Sequence, residues 1–101
     1  MGETLSATQI TEALAQTPEW TLESREITRQ FQFKDFVQAM RFVNAVADAA
    51  EKANHHPDID IRWNKVLLRL STHSKGGLTE ADFQLAAQIN AINSSSTMDN
   101  K

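Results

Sequence analysis

Asp58-Ile59-Asp60-Ile61-Arg62-Trp63-Asn64-Lys65-Val66-Leu67-Leu68-Arg69-Leu70 is the stretch whose reading decides the fold. Ile59, Ile61 and Trp63 alternate with Asp58, Asp60 and Arg62; Val66, Leu68 and Leu70 then alternate with Lys65, Leu67 and Arg69. A period of two, rich in β-branched and aromatic residues, marks strands with one buried face. Asn64-Lys65 suits a tight turn between them, because Asn tolerates positive φ. The segment is expected to be an antiparallel hairpin.

Working outward, a second hairpin lies upstream. Trp20 and Leu22 alternate with Thr21 and Glu23, the polar group Glu23-Ser24-Arg25-Glu26 makes a turn, and Ile27, Arg29, Phe31 and Phe33 alternate with Thr28, Gln30 and Gln32. Between the hairpins, Asp35 opens a helix from Phe36 to about Lys52. Its stripe of Phe36, Met40, Val43, Ala47 and Ala50 is widened by Val37, Phe42, Val46 and Ala49. Such a face is broader than one sheet needs. The helix is therefore either deeply buried or lies between its own sheet and a partner subunit.

Ser6 with Gln9 forms a capping box for a helix over 7–16, stopped by Pro18. Gly76-Gly77 interrupts the strand pattern, and Thr79 with Asp82 caps a last helix carrying Leu85, Ile89 and Ile92. The expected order is α-β-β-α-β-β-α. Two hairpins alternating with helices imply an α+β two-layer sandwich, a four-stranded antiparallel sheet with three helices on one face. Residues 1–93 are expected to form a single domain, and the polar residues 94–101 a disordered tail.

The totals narrow the function. The 101 residues make one domain, small enough for oligomerisation to be a source of extra stability. A net charge of −3, with 10 scattered basic residues, argues against nucleic acid as a direct partner. The absence of cysteine excludes disulfides, thiolate catalysis and cysteine-ligated metals. No apolar run is long enough to span a membrane, and Met1–Leu5 lacks the character of a secretory signal, so a cytoplasmic location is expected. Gly76-Gly77 lacks the lysine and glycine spacing of a phosphate-binding loop.

All three histidines fall within nineteen residues, His55 and His56 followed by Pro57, and then His73. Histidine titrates near neutrality, so the cluster suits proton transfer. With a turn at 64–65, antiparallel pairing would set position 73 across from 56–57 and bring His73 beside the pair. Glu51, on the last helical turn, could accept from an imidazole and select its tautomer. Each residue also has a plainer reading. Asp82 is explained by capping, Trp20 and Trp63 by the core, and Glu51 by solvation at a helix end. A zinc or iron site of three histidines, or of two with Glu51, matches by residue type, but adjacent histidines rarely converge on one ion and no HExxH arrangement is present.

Taken together, Glu51-Lys52-Ala53-Asn54-His55-His56-Pro57, Trp63-Asn64-Lys65-Val66, Leu70-Ser71-Thr72-His73 and Gly77-Leu78-Thr79-Glu80-Ala81-Asp82 resemble the pterin-4a-carbinolamine dehydratases. Phe31-Gln32-Phe33-Lys34-Asp35-Phe36 and Trp20 add to the likeness, which runs from about Ser6 to Ile92; the family often has Tyr where Trp63 stands. The resemblance implies a hydro-lyase of tetrahydrobiopterin recycling. It would convert 4a-hydroxytetrahydropterin to quinonoid dihydropterin and water, with no metal and no redox cofactor. It implies His55, His56 and His73 as the catalytic and pterin-binding trio, with His55 and His73 as acids at the hydroxyl and His56 holding the ring or serving as base. Glu51, Trp20, Trp63 and Asp82 would line or support the pterin site. A homodimer or homotetramer, joined through an edge strand or the long helix, is also implied. The alternative is a non-enzymatic, coactivator-like dimerisation or assembly partner that uses the apolar face of residues 36–50.

Overall fold

In the computed structural model, which describes residues 4–99, the elements run α1 (Ala7–Gln16), β1 (Thr21–Glu23), β2 (Glu26–Gln32), α2 (Phe36–Ala53), β3 (Asp58–Arg62), β4 (Lys65–Leu70) and α3 (Glu80–Asp99). A single 3₁₀ turn, His73–Lys75, separates β4 from α3. The strands form one antiparallel sheet in the order β1-β2-β4-β3. This is the α+β sandwich expected from the two hairpins. α3 continues past Ile92 into the polar segment expected to be tail, and residues 1–3 and 100–101 lie outside the described residues.

The turn of the β3–β4 hairpin comes one residue earlier than expected. Arg62 pairs with Lys65, so Trp63 and Asn64 form the loop, and Trp63 rather than Asn64 takes positive φ, at 53°. Asn64 is occupied elsewhere. Its side-chain amide donates to the Phe33 carbonyl at 2.8 Å, and its own carbonyl accepts from the Phe33 N–H at 2.8 Å. These two bonds tie the turn to the segment that leads into α2, and they bury Asn64. The chain thus trades the easier turn residue for a tether between hairpin and helix.

The buried face of the sheet carries Ile27 and Phe31 from β2 and Val66, Leu68 and Leu70 from β4. Gln30, Gln32 and Lys65 face the other way and are exposed. Arg29 lies on the buried side. Its guanidinium sits 4.4 Å over the Phe31 ring and donates to Asn90 at 2.6 Å. Desolvation lowers the pKa of this group, and the Glu19 carboxylate partly offsets the effect.

α2 meets the sheet through Ala39, Phe42, Val43, Val46 and Ala50. The expected central stripe is therefore displaced: Phe36 and Ala47 are exposed, and the Phe42–Val46 flank is the core. The cause is aromatic. Phe42 stacks against Phe31 at 4.6 Å and Phe33 at 5.0 Å, and this pins the helix rotation. Leu85, Ile89, Phe83 and Ala86 of α3 complete the core, while α1 lies over it with Ile10, Ala13 and Leu14 only partly covered.

Phe42 touches both hairpin aromatics and is 1% exposed, so Phe42→Ala should cost about 3–5 kcal/mol. For a domain of this size that is a large share of the whole stability. Urea unfolding followed by circular dichroism should show the midpoint falling steeply, with a fraction of the variant unfolded before urea is added.

Candidate active site

The C-terminus of α2 sets the histidine pair. Asn54 takes the left-handed conformation, with φ 52°, and donates its N–H to the carbonyls of Ala50 and Glu51. The His55 N–H then donates to Ala50 at 3.1 Å. An Asn in this conformation closes a helix by satisfying its last carbonyls and turning the chain sharply. Pro57 then carries the exit into β3 as extended chain. His55 and His56 are thus presented at a defined corner between helix and strand.

From that corner the two imidazoles find different carboxylates. His55 Nε2 lies 2.6 Å from Asp82 Oδ1, with the carboxylate fully buried and the imidazole nearly so. His56 Nε2 lies 2.7 Å from Glu51 Oε2, with both side chains open to solvent. A hydrogen bond shielded from water is stronger than one that competes with solvent, and an exposed pair is held weakly. The first pair is a fixed structure and the second an adjustable one.

Asp82 is the third residue of α3 and caps it: Oδ2 accepts from the Thr79 N–H at 2.9 Å. The same oxygen accepts from the Thr72 hydroxyl at 2.8 Å. Capping and pairing with a histidine are therefore not alternatives for this residue. One oxygen caps the helix and the other meets His55. With the carboxylate as acceptor, His55 carries its proton on Nε2 and leaves Nδ1 as the nitrogen that can take or give a proton.

His73 stands apart. It opens the 3₁₀ turn that Gly76 closes at φ 74°, it is exposed, and among the described residues the nearest polar contact of its imidazole is Ser71 Oγ at 3.5 Å, too long for a strong bond. The adjacent Thr72 is bridged to Gly77 and reaches Asp82, so His73 is one residue from the His55 network. The early hairpin turn explains this. The last β3–β4 pair is Asp58 with Arg69, and that register continued would set Thr72 opposite His55 and Ser71 opposite His56, where the expected turn would have set His73 across from 56–57. Among the described residues no three His, Asp or Glu side chains converge as a metal-ligand set.

Neither tryptophan joins the cluster within one chain. Trp20 is buried, packs edge-on to Phe31 at 6.3 Å, and donates its indole N–H to Asn90 at 2.9 Å. Trp63 is 66% exposed at the far end of β3, about 20 Å along an extended strand from His56. The sequence reading missed Thr72 as a ligand of Asp82, although it lies inside the Leu70-Ser71-Thr72-His73 run. It also missed Asn90, the shared acceptor for Trp20 and Arg29, which no local pattern signals.

Comparison with known proteins gives a consistent answer. The profile of one family, pterin 4 alpha carbinolamine dehydratase, matches residues 3–92. A protein of Acidobacterium capsulatum, provisionally named pterin-4-alpha-carbinolamine dehydratase, is 57% identical over 88 residues, covering 87% of this chain and 96% of that one. One from Nocardia farcinica with the same provisional name is 52% identical over 90 residues, covering 89% and 95%. Among solved structures, a transcriptional coactivator/pterin dehydratase of Brucella melitensis superposes with a TM-score of 0.86 at 39% identity, covering 89% of this chain and 98% of that one. A pterin dehydratase-like RuBisCO assembly factor of the alpha-carboxysome shares the fold, with a TM-score of 0.60 at 24% identity over 72% of this chain and 84% of that one.

The contrast between the two carboxylates is measurable. Asp82→Asn turns a triple acceptor into a group whose amide faces donors, and it should lower unfolding stability by about 1–3 kcal/mol. Glu51→Gln, at the solvent-facing pair, should leave the denaturation midpoint unmoved.

Proposed function

The chain belongs to the pterin 4 alpha carbinolamine dehydratase family, and on that premise we propose that it removes water from a 4a-hydroxytetrahydropterin by histidine acid–base catalysis. The observation that carries this reading is the buried Asp82–His55 pair beside the exposed Glu51–His56 pair. In the reaction the C4a–O bond breaks and the hydroxyl leaves as water, with a proton from an acid. The N5–H proton passes to a base, and its electron pair becomes the C4a=N5 bond of quinonoid dihydropterin. No electrons enter or leave, so proton transfer is all that the side chains must supply.

His55 suits the acid role. With Nε2–H held by Asp82, the imidazolium donates from Nδ1 and returns to one tautomer, ready to be recharged. His73, free of a strong partner, is assigned as second acid at the hydroxyl. His56 is assigned to the ring, as holder or as the base at N5, with Glu51 orienting it. Asp82 supports the site through His55.

Self-association is proposed through the outer edge of β3. Ile59 and Ile61 are each 37% exposed on the helix-facing side of this unpaired edge, and Trp63 stands at its end. Exposed apolar residues on a free edge invite strand pairing. Antiparallel pairing of two β3 edges would set each Trp63 turn beside the Pro57 end of the other copy, which brings that tryptophan toward a histidine corner. The exposed Phe36 and Val37 at the start of α2 favour a second reading, in which this helix end docks a protein partner as a coactivator-like role would require.

The direct test generates the carbinolamine with an aromatic amino acid hydroxylase and follows its ultraviolet decay. Wild-type protein should accelerate the decay, a chelator should not change the rate, and His55→Ala or His73→Ala should cost about 10²-fold or more in kcat. Folded protein without acceleration would remove the catalytic reading and leave the partner-docking one. Light scattering should give an oligomer for the wild type and a monomer for the Ile59→Lys/Ile61→Lys double variant; a monomeric wild type would end the edge-pairing proposal.

A further inference from the structure

We infer that Thr72 is a positioning residue, which with Thr79 forms a one-way chain of hydrogen bonds that locks Asp82 and thereby fixes His55 as its Nε2–H tautomer. The inference rests on the reading that His55 works on the pterin through Nδ1.

The direction of the chain follows from counting protons. The Thr72 hydroxyl has a single hydrogen, and it goes to Asp82 Oδ2 at 2.8 Å, since an ionised carboxylate can only accept. The contact of 2.8 Å between Thr72 Oγ1 and Thr79 Oγ1 must then have Thr79 as donor. Thr79 Oγ1 in turn accepts from the Ala81 N–H at 3.3 Å, in the first turn of α3. Every rotor is thus set: Ala81 N–H to Thr79, Thr79 to Thr72, Thr72 to Asp82. The chain starts at a helix N-terminus, where backbone N–H groups carry partial positive charge, and it ends on a carboxylate.

The consequence for Asp82 is an asymmetry between its oxygens. Oδ2 has two donors aimed at it, the Thr72 hydroxyl and the Thr79 N–H, and cannot hold a proton without losing one of them. Among the described residues, Oδ1 has His55 alone. Rotation of the carboxylate, which would exchange the oxygens, breaks both Oδ2 bonds in a fully buried setting. The only proton left to place is the one shared with His55 Nε2, and the carboxylate takes the accepting role. Nδ1 is thereby kept as the working nitrogen. Thr72 belongs to the chain because the hairpin register places it opposite His55, and its bridge to Gly77 holds its backbone.

The test uses the full chain with Thr72→Val, which keeps the shape and removes the hydroxyl, beside Thr72→Ser, which keeps the hydroxyl. Long-range proton–nitrogen NMR of the imidazoles distinguishes Nε2–H from Nδ1–H. The wild type should show His55 as Nε2–H alone, Thr72→Val a mixture of tautomers, and Thr72→Ser the wild-type pattern. In the dehydration assay Thr72→Val should lose about tenfold or more in kcat with KM within about twofold, the size expected for a lost bond to a charged group, and Thr72→Ser should recover most of it. A wild-type His55 carrying its proton on Nδ1 would overturn the inference even if Thr72→Val fails to fold. A folded Thr72→Val with wild-type tautomer and kcat would overturn it as well, as would a loss confined to KM. An inactive wild type with His55 held as Nε2–H would refute the catalytic reading while leaving the positioning of the tautomer in place.

Discussion

The buried Asp82 carboxylate is the constraint on which the rest of this structure depends. It joins three parts of the chain at one carboxylate: the N-terminus of α3, the Thr72 corner after β4, and the His55 corner after α2. A buried charge without partners would be strongly unfavourable, so all three partners must arrive together. Correct assembly of the fold and correct assembly of the site are consequently one event. Around this point the packing of Phe42 on Phe31 and Phe33 sets the rotation of α2, and that rotation delivers His55 to the carboxylate.

Much of this was legible in the sequence, and the failures have definite causes. The alternation in 58–70 and 27–33 required antiparallel hairpins, and the spacing of caps and stripes required the intervening helices. The turn at 63–64 was not legible, because the preference of Asn64 for positive φ lost to two long-range bonds with Phe33. The rotation of α2 was not legible either. Gln38, Arg41, Asn44, Asp48, Glu51 and Lys52 mark its solvent face, but the apolar arc opposite is wider than the sheet covers, and the sheet aromatics select within it. Asp82 shows the opposite case: its capping spacing was read correctly, but capping uses one oxygen and cannot reveal what the second one meets.

The one-residue displacement of the hairpin turn also reorganises the candidate site. Each β3–β4 partner moves by two residues when the turn moves by one, so the register continued sets Ser71, not His73, across from His56 and Thr72 across from His55. Thr72 follows Val66, Leu68 and Leu70 on the interior face of β4 and joins the buried network, and His73 is left on an exposed 3₁₀ turn closed by Gly76. The three histidines are not equivalent members of one cluster. One is anchored by a buried partner, one leans on an exposed carboxylate, and one has no strong hold.

The two tryptophans give the molecule a pair of optical reporters with separate addresses. Trp20 is sealed against Phe31 with its indole N–H bonded to Asn90, so its emission should follow the integrity of the core and be shielded from an aqueous quencher such as iodide. Trp63 projects from the hairpin turn with two-thirds of its surface in water, and its emission is open to quenching until something covers the β3 edge. With no tyrosine in the sequence to blur the signal, intrinsic fluorescence alone can separate unfolding from association in this chain.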